Sequence, residues 1–192
     1  MTVRKGYILL SDTGTLLTKL IKLYTKKPYN HASISFDSKL CEVYSFGRKS
    51  VRNPFVGGFV REDLKSSLFY QADCAIYSFE VNEVQFEMMK EYILEIEKER
   101  KQYRYNFLGL FGFLFNRPIK REKAFFCSQF VAAVLKEGSV IDFEKPLSLV
   151  APNDLQQVTA FQLVYQGKLK DYITNQIEEK DCFSFKFRLI SL

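Results

Sequence analysis

Residues 124–138 read AFFCSQFVAAVLKEG, and the arrangement of the rest of the chain follows from them. From Cys127 onward the stretch is apolar almost all round, which predicts a buried helix over Cys127–Lys136, ended by Gly138. The segment before it, KREKAFF, is basic and then aromatic, and predicts a loop. Cys127 therefore stands where loop becomes helix. A thiol in that position feels the positive end of the helix dipole and nearby unpaired N–H groups. Both favour the thiolate, which is the nucleophilic form. The same N–H groups can hold a developing oxyanion, typically through the nucleophile's own amide and one further donor.

A nucleophilic thiol needs a base, and the chain has one histidine. His31 opens the run HASISF, where His31, Ser33 and Ser35 alternate with Ala32, Ile34 and Phe36, the pattern of a strand. Asp37–Lys39 predicts a turn, and Leu40–Phe46 a returning strand. Glu42 lies on that return in an otherwise apolar run. A buried carboxylate needs a partner, and the His31 ring would supply one, so Glu42 is the candidate orienting group. Tyr44 shares its face and is the next candidate. The alternative is that Glu42 faces solvent from an edge strand.

Outward from this centre, Gly6–Ser11 predicts a strand, and Thr13 or Thr15 can cap a helix reaching about Tyr24. Gly47–Lys65, rich in Gly, Arg and Asn, predicts a long loop that could cover a cleft and select an anionic substrate through Arg48, Lys49, Arg52 and Arg61. Asp73–Val81 predicts another strand. Asn82 with Gln85 forms a capping box for a helix that buries Phe86, Met89, Ile93 and Ile96. Tyr103–Arg117 reads as aromatic and irregular. Its apolar core, FLGLFGFLF, is preferred as an insert beneath a substrate groove over a segment lying in a membrane interface. Pro152–Gln157 predicts a helical turn; Thr159–Tyr165 and Phe183–Ile190 predict strands. Antiparallel strands packed by helices on one face make an α+β domain, and no linker divides residues 1–192.

Composition narrows the function classes. The chain has 192 residues, 47% hydrophobic and 26% charged, with 19 Phe, 11 Tyr and no Trp. That suits one globular core. The net charge is +6, but the Lys and Arg are spread along the chain. No recognition motif or clustered basic helix supports nucleic-acid binding. The four cysteines form no C-x-x-C pair, so neither a metal site nor a cofactor is expected. No disulfide framework is expected either, and Cys41, Cys74 and Cys182 read as small buried hydrophobes. The N-terminal apolar run, Tyr7–Leu10, is too short for a secretory signal, and the longest apolar stretch, nine residues, is too short to span a bilayer. A cytoplasmic protein is expected.

Taken together, the run NHASIS, then E-x-Y-S-F-G-R, then FFCSQFVAAVL resembles the NlpC/P60 superfamily in its permuted branch, the YiiX/YycO-like papain-like amidases. In that branch the histidine strand precedes the cysteine helix, as His31 and Glu42 precede Cys127 here. The resemblance covers about Gly6–Asp154, including the APNDL turn. Ser33 stands where many relatives have a glycine. The resemblance implies a half-barrel of antiparallel strands packed on the nucleophile helix. It implies acyl transfer by Cys127 with His31 as base, on amide bonds such as those of cell-wall peptides. Lipid acyltransferases and thioesterase-like enzymes also belong to permuted relatives, so lipid amides and esters are a second substrate class. A third reading is a non-catalytic peptide- or lipid-binding module on the same fold.

Overall fold

A computed structural model describes residues 3–14, 26–48, 57–115, 117–119 and 121–177. Its centre is a six-stranded antiparallel sheet. The strands are β1 (Val3–Asp12), β2 (His31–Ser35), β3 (Val43–Arg48), β4 (Gly57–Arg61), β5 (Asp73–Asn82) and, last in the sheet, β8 (Gln162–Lys168), in the spatial order β4-β3-β2-β1-β5-β8. A short parallel pair, β6 (Arg104–Tyr105) and β7 (Ala124–Phe125), lies beside it. Six α-helices, α1 (Ser67–Tyr70), α2 (Glu83–Lys98), α3 (Phe107–Leu114), α4 (Cys127–Glu137), α5 (Pro152–Gln156) and α6 (Leu169–Ile177), and a single 3-10 turn at Leu147–Leu149 complete the described residues. This is the α+β class expected.

Helices cover both faces of the sheet, whereas the sequence pattern predicted one. In β1, Ile8, Leu9 and Leu10 are all fully buried. Ile8 and Leu10 join the larger core with Phe86, Met89 and Phe130 from α2 and α4. Leu9 joins a second core with Phe69 of α1 and Leu169, Tyr172 and Ile173 of α6. An unbroken apolar run in a strand is the mark of a strand buried on both sides.

Helix α2 forms as its sequence predicts. Asn82 accepts from the Gln85 amide at 2.9 Å while the Gln85 side chain takes the Asn82 amide at 3.2 Å, and Phe86, Met89, Ile93 and Ile96 are its buried residues. Helix α4 is buried from Cys127 to Leu135. Its end differs in detail from expectation. Ser139 and not Gly138 takes the left-handed conformation, at φ 51°. The Ser139 amide bonds Lys136 O and the Val140 amide bonds Leu135 O, each at 2.9 Å, which closes the last turn as a Schellman motif. Gly138 is needed for packing: a Cβ there would lie 2.4 Å from Cγ of Met89 on α2.

Several boundaries move. The expected loop Gly47–Lys65 contains the end of β3 and all of β4; residues 49–56, within the proposed cleft cover, lie outside the described residues. The return strand begins at Val43, not Leu40. The Asp37 carboxylate accepts the amides of Cys41 and Glu42 at 3.0 and 3.3 Å, so the turn extends through Glu42. The last strand is Gln162–Lys168. Most of the apolar segment after Tyr105 is helical rather than irregular. Cys41 is exposed and disulfide-bonded, against expectation, while Cys74 is buried and free. The predicted helix reaching Tyr24 and the strand Phe183–Ile190, with Cys182, lie outside the described residues. No helix among the described residues is long and apolar enough to cross a membrane.

Candidate active site

The end of β2 is where the sheet and α4 meet. The ladder between β2 and β3 comprises Ile34↔Tyr44 and Ser35↔Val43, and it lapses before reaching Ala32. The Ala32 carbonyl instead accepts the Ser45 hydroxyl at 2.8 Å. The Ala32 amide, on the same edge of the strand, is turned to the Cys127 sulfur and favours its ionised form. A parting between two strands thus receives the thiol at the start of α4.

Aromatic packing holds α4 in that position. Phe130, one turn into the helix, meets Phe46 of β3 at 5.1 Å between ring centres and Phe59 of β4 at 5.9 Å. Phe125, just before the helix, meets Phe46 at 5.2 Å. Such pairs add about 0.5–1.5 kcal/mol each beyond the area they bury. Ser128 ties the helix from its other side, donating to Val150 O at 2.7 Å. Phe126, the residue before the helix, offers no side-chain cap, so the first amides of α4 remain available to a ligand or to the thiol.

Cys127 and His31, predicted to meet, are brought together, each shifting the titration of the other. The orienting carboxylate is Glu62 and not Glu42. Glu62 Oε1 lies 2.6 Å from His31 Nε2, and its Oε2 accepts from the Ser33 hydroxyl at 2.6 Å. With Nε2 held by Glu62, Nδ1 is the ring nitrogen left for Cys127. The Ser45 hydroxyl stands 3.4 Å from Nε2, and Phe69 covers the ring at 5.8 Å. The pair is almost dry, the side chains being 12% exposed for His31 and 3% for Glu62.

Glu42 is placed elsewhere by the register. Continuing Ile34↔Tyr44 sets Glu42 opposite Phe36, five residues along β2 from His31. There Glu42 accepts from Tyr44 Oη at 3.0 Å and pairs with Arg61 at 3.2 Å. Arg61 also grips Glu97 of α2 through two bonds of 2.8 Å. Successive strand residues face opposite sides, so Arg61 reaches the helical layer while Glu62 reaches the imidazole. The sequence carried one usable signal for Glu62. Reading GGFVR as a strand puts Gly58, Val60 and the next alternate residue, Glu62, on one face.

The electrostatics follow from these contacts. Burial would lower the His31 pKa, but the charges of Glu62 and Cys127 and their hydrogen bonds outweigh it and raise it to about 10. Burial would raise the Cys127 pKa. The His31 charge and hydrogen bond, with the amides of Ala32 and Ser128, reverse this and leave it lowered. Both shifts favour a thiolate beside an imidazolium.

A further neighbour went unremarked as a site residue in the sequence. Tyr105 of β6 lies close to Cys127, and burial together with the thiolate drives its pKa well above 10. Its phenol keeps its proton and can donate it in a hydrogen bond. Gly57 makes room for it: a Cβ at position 57 would stand 2.7 Å from Tyr105 Cβ. Among the described residues no group of three His, Cys, Asp or Glu side chains could hold a metal ion. Compared with family models, curated proteins and solved structures, the chain matches none.

Proposed function

We propose that the protein is a cysteine hydrolase working through an acyl-enzyme, with the amidase-like chemistry of a permuted papain-like domain. One observation carries this reading: Cys127, at the tip of a buried helix, lies beside an imidazole whose Nε2 is gripped by the buried carboxylate of Glu62. A nucleophile, a base and an orienting group in series are what acyl transfer by a thiol requires.

The steps balance as follows. The Cys127 thiolate attacks the substrate carbonyl, forming a C–S bond while the carbonyl π electrons move to oxygen. The Cys127 amide and the Tyr105 phenol are the proposed donors to that oxyanion. Collapse breaks the bond to the leaving group, which takes the proton of the His31 imidazolium. Neutral His31 then accepts a proton from water as the water oxygen attacks the thioester. The acid departs and the thiolate–imidazolium pair is restored. Glu62 acts through His31, fixing the ring and holding it charged. The substrate is an amide, with cell-wall peptides as one class, and a cytoplasmic setting remains the working expectation.

The test is covalent capture. After incubation with peptide-, ester- and thioester-type acyl probes, intact-mass and peptide analysis should find an acyl adduct on Cys127 that is absent from Cys127→Ala. Adducts on other residues only, or none with any probe while Cys127 still reacts with iodoacetamide, would count for a binding module on this scaffold.

A further inference from the structure

Large apolar side chains of a soluble domain ordinarily turn inward, yet helix α3 and the segment after it leave some of theirs in water. Gly109 and Gly112 are buried. Gly109 sits against the Asn106 side chain, whose Oδ1 accepts its amide at 2.8 Å. Gly112 sits under the returning chain, where a Cβ would meet Arg117 O at 2.4 Å. Leu108 of α3 is 54% exposed, and Phe115, just past the end of α3, is 74% exposed. Ile119, on the segment folded back over Gly112, is exposed as well.

The rim of this apolar patch is cationic. From Arg100 to Lys123 the sole acidic residue is Glu122. Arg104, Arg117 and Arg121 are exposed, and no carboxylate pairs with them among the described residues. Exposed apolar side chains in a stretch that also exposes arginines without carboxylate partners match a bilayer interface with anionic headgroups, where the apolar chains enter the acyl region and the guanidinium groups meet phosphates. A protein partner would need a complementary cavity, whereas a bilayer needs only this protrusion.

We infer that Leu108, Phe115 and Ile119, with Arg104, Arg117 and Arg121, form a docking surface for an anionic lipid bilayer. The patch is rooted at the active site: Tyr105 immediately precedes it, and the Asn106 amide bonds Phe125 O at 2.9 Å, two residues before Cys127. Docking would therefore hold the Cys127 cleft at the lipid surface. This extension rests on the hydrolase reading and favours lipid amides or esters as its substrates; the docking itself does not depend on catalysis.

The experiment is co-sedimentation of the full chain with large unilamellar vesicles. Phosphatidylglycerol–phosphatidylcholine vesicles should bind at least ~10-fold better than pure phosphatidylcholine, and binding should weaken in high salt. Leu108→Ser with Phe115→Ser should reduce binding ~10-fold or more, and Arg117→Gln with Arg121→Gln should lower both affinity and salt dependence. Each variant's iodoacetamide rate at Cys127 reports whether the fold is retained. Cys127→Ala should bind as the parent does, which separates docking from chemistry. Binding that ignores the Leu108 and Phe115 changes, or no binding to anionic vesicles, overturns the proposal. So does sedimentation velocity showing a dimer that the same two substitutions dissociate, since a second copy would then cover the patch.

Discussion

Cys74 and Cys127 are both buried, unbridged thiols in one small domain, yet they differ in kind. Cys74 is the second residue of β5, opposite Ser11 on one side and Gly167 on the other. Burial and, after it, the nearby Asp73 push its pKa up to about 12. Cys127 is equally deprived of water, but its neighbours are a cation and two backbone amides. Burial alone thus makes a thiol inert. What reverses the sign is a nearby positive charge and N–H groups that secondary structure has left unpaired.

The comparison is most exposed to failure by alkylation. A thiol with a pKa of about 12 is about one part in 10⁵ ionised at pH 7, so native Cys127 should react with iodoacetamide at least ~10³ times faster than Cys74. In denaturant the two rates should converge to within a few-fold. Equal native rates, read by peptide mass spectrometry, would end the distinction.

Removing the cation should come next in size. His31→Ala withdraws the imidazolium and leaves the Glu62 carboxylate buried without its partner. Cys127 labelling at pH 7 should fall ~100-fold, while Cys74 is unchanged. Loss of one member of a buried pair also costs about 3–5 kcal/mol, measurable by urea unfolding. A labelling rate that survives would assign the thiolate to the amides alone.

Glu62 and Glu42 separate by titration. Because the chain has one histidine, its ring protons report His31 directly by NMR. Glu62→Gln should bring the His31 pKa down from about 10 by ~1–3 units; Glu42→Gln should leave it unmoved. The sign has a stability consequence. The native state holds the His31 proton more tightly than the unfolded chain, so this contribution is complete below about pH 6.5 and is lost as pH rises towards about 10. In Glu62→Gln the loss should occur at lower pH. Hydrolysis of an acyl probe should likewise rise through the lowered Cys127 pKa and fall near pH 10 in the parent protein.

The smallest effect concerns space. Gly57→Ala places a methyl group against Tyr105, and overpacking of this kind costs about 1–3 kcal/mol. Acyl-probe turnover should drop more than iodoacetamide labelling does, because labelling forms no oxyanion. Parallel losses in both would assign Tyr105 a packing role only.

Cys127 and His31 were legible in the sequence because local rules place them. A loop-to-helix boundary marks Cys127, and alternation over HASIS marks His31. Glu42 was misplaced because the Asp37 side chain prolongs the turn by capturing the amides of Cys41 and Glu42. That capture depends on a rotamer, which spacing does not reveal. Glu62 was hidden by composition, since glycines and charges around β4 resemble a loop until strand pairing gives Gly58 and Gly57 partners in Gly47 and Arg48. The capping box at Asn82 and the stripe from Phe86 to Ile96 survived unaltered because all their partners lie within one helix or directly beneath it. Coverage of both sheet faces was legible in the run Ile8–Leu10 but was read as ordinary strand composition.

The lapse between β2 and β3 carries one more implication. The N–H that favours the ionised sulfur belongs to the main chain at Ala32, so no replacement of the Ala32 side chain can delete it; only the strand's own path can. Drift at that position is limited by volume alone. The hydroxyl of Ser45 acts as a spacer, occupying the neighbouring carbonyl and so discouraging the two strands from zipping shut. Closing that seam would yield a tidier sheet and a sulfur with one fewer donor.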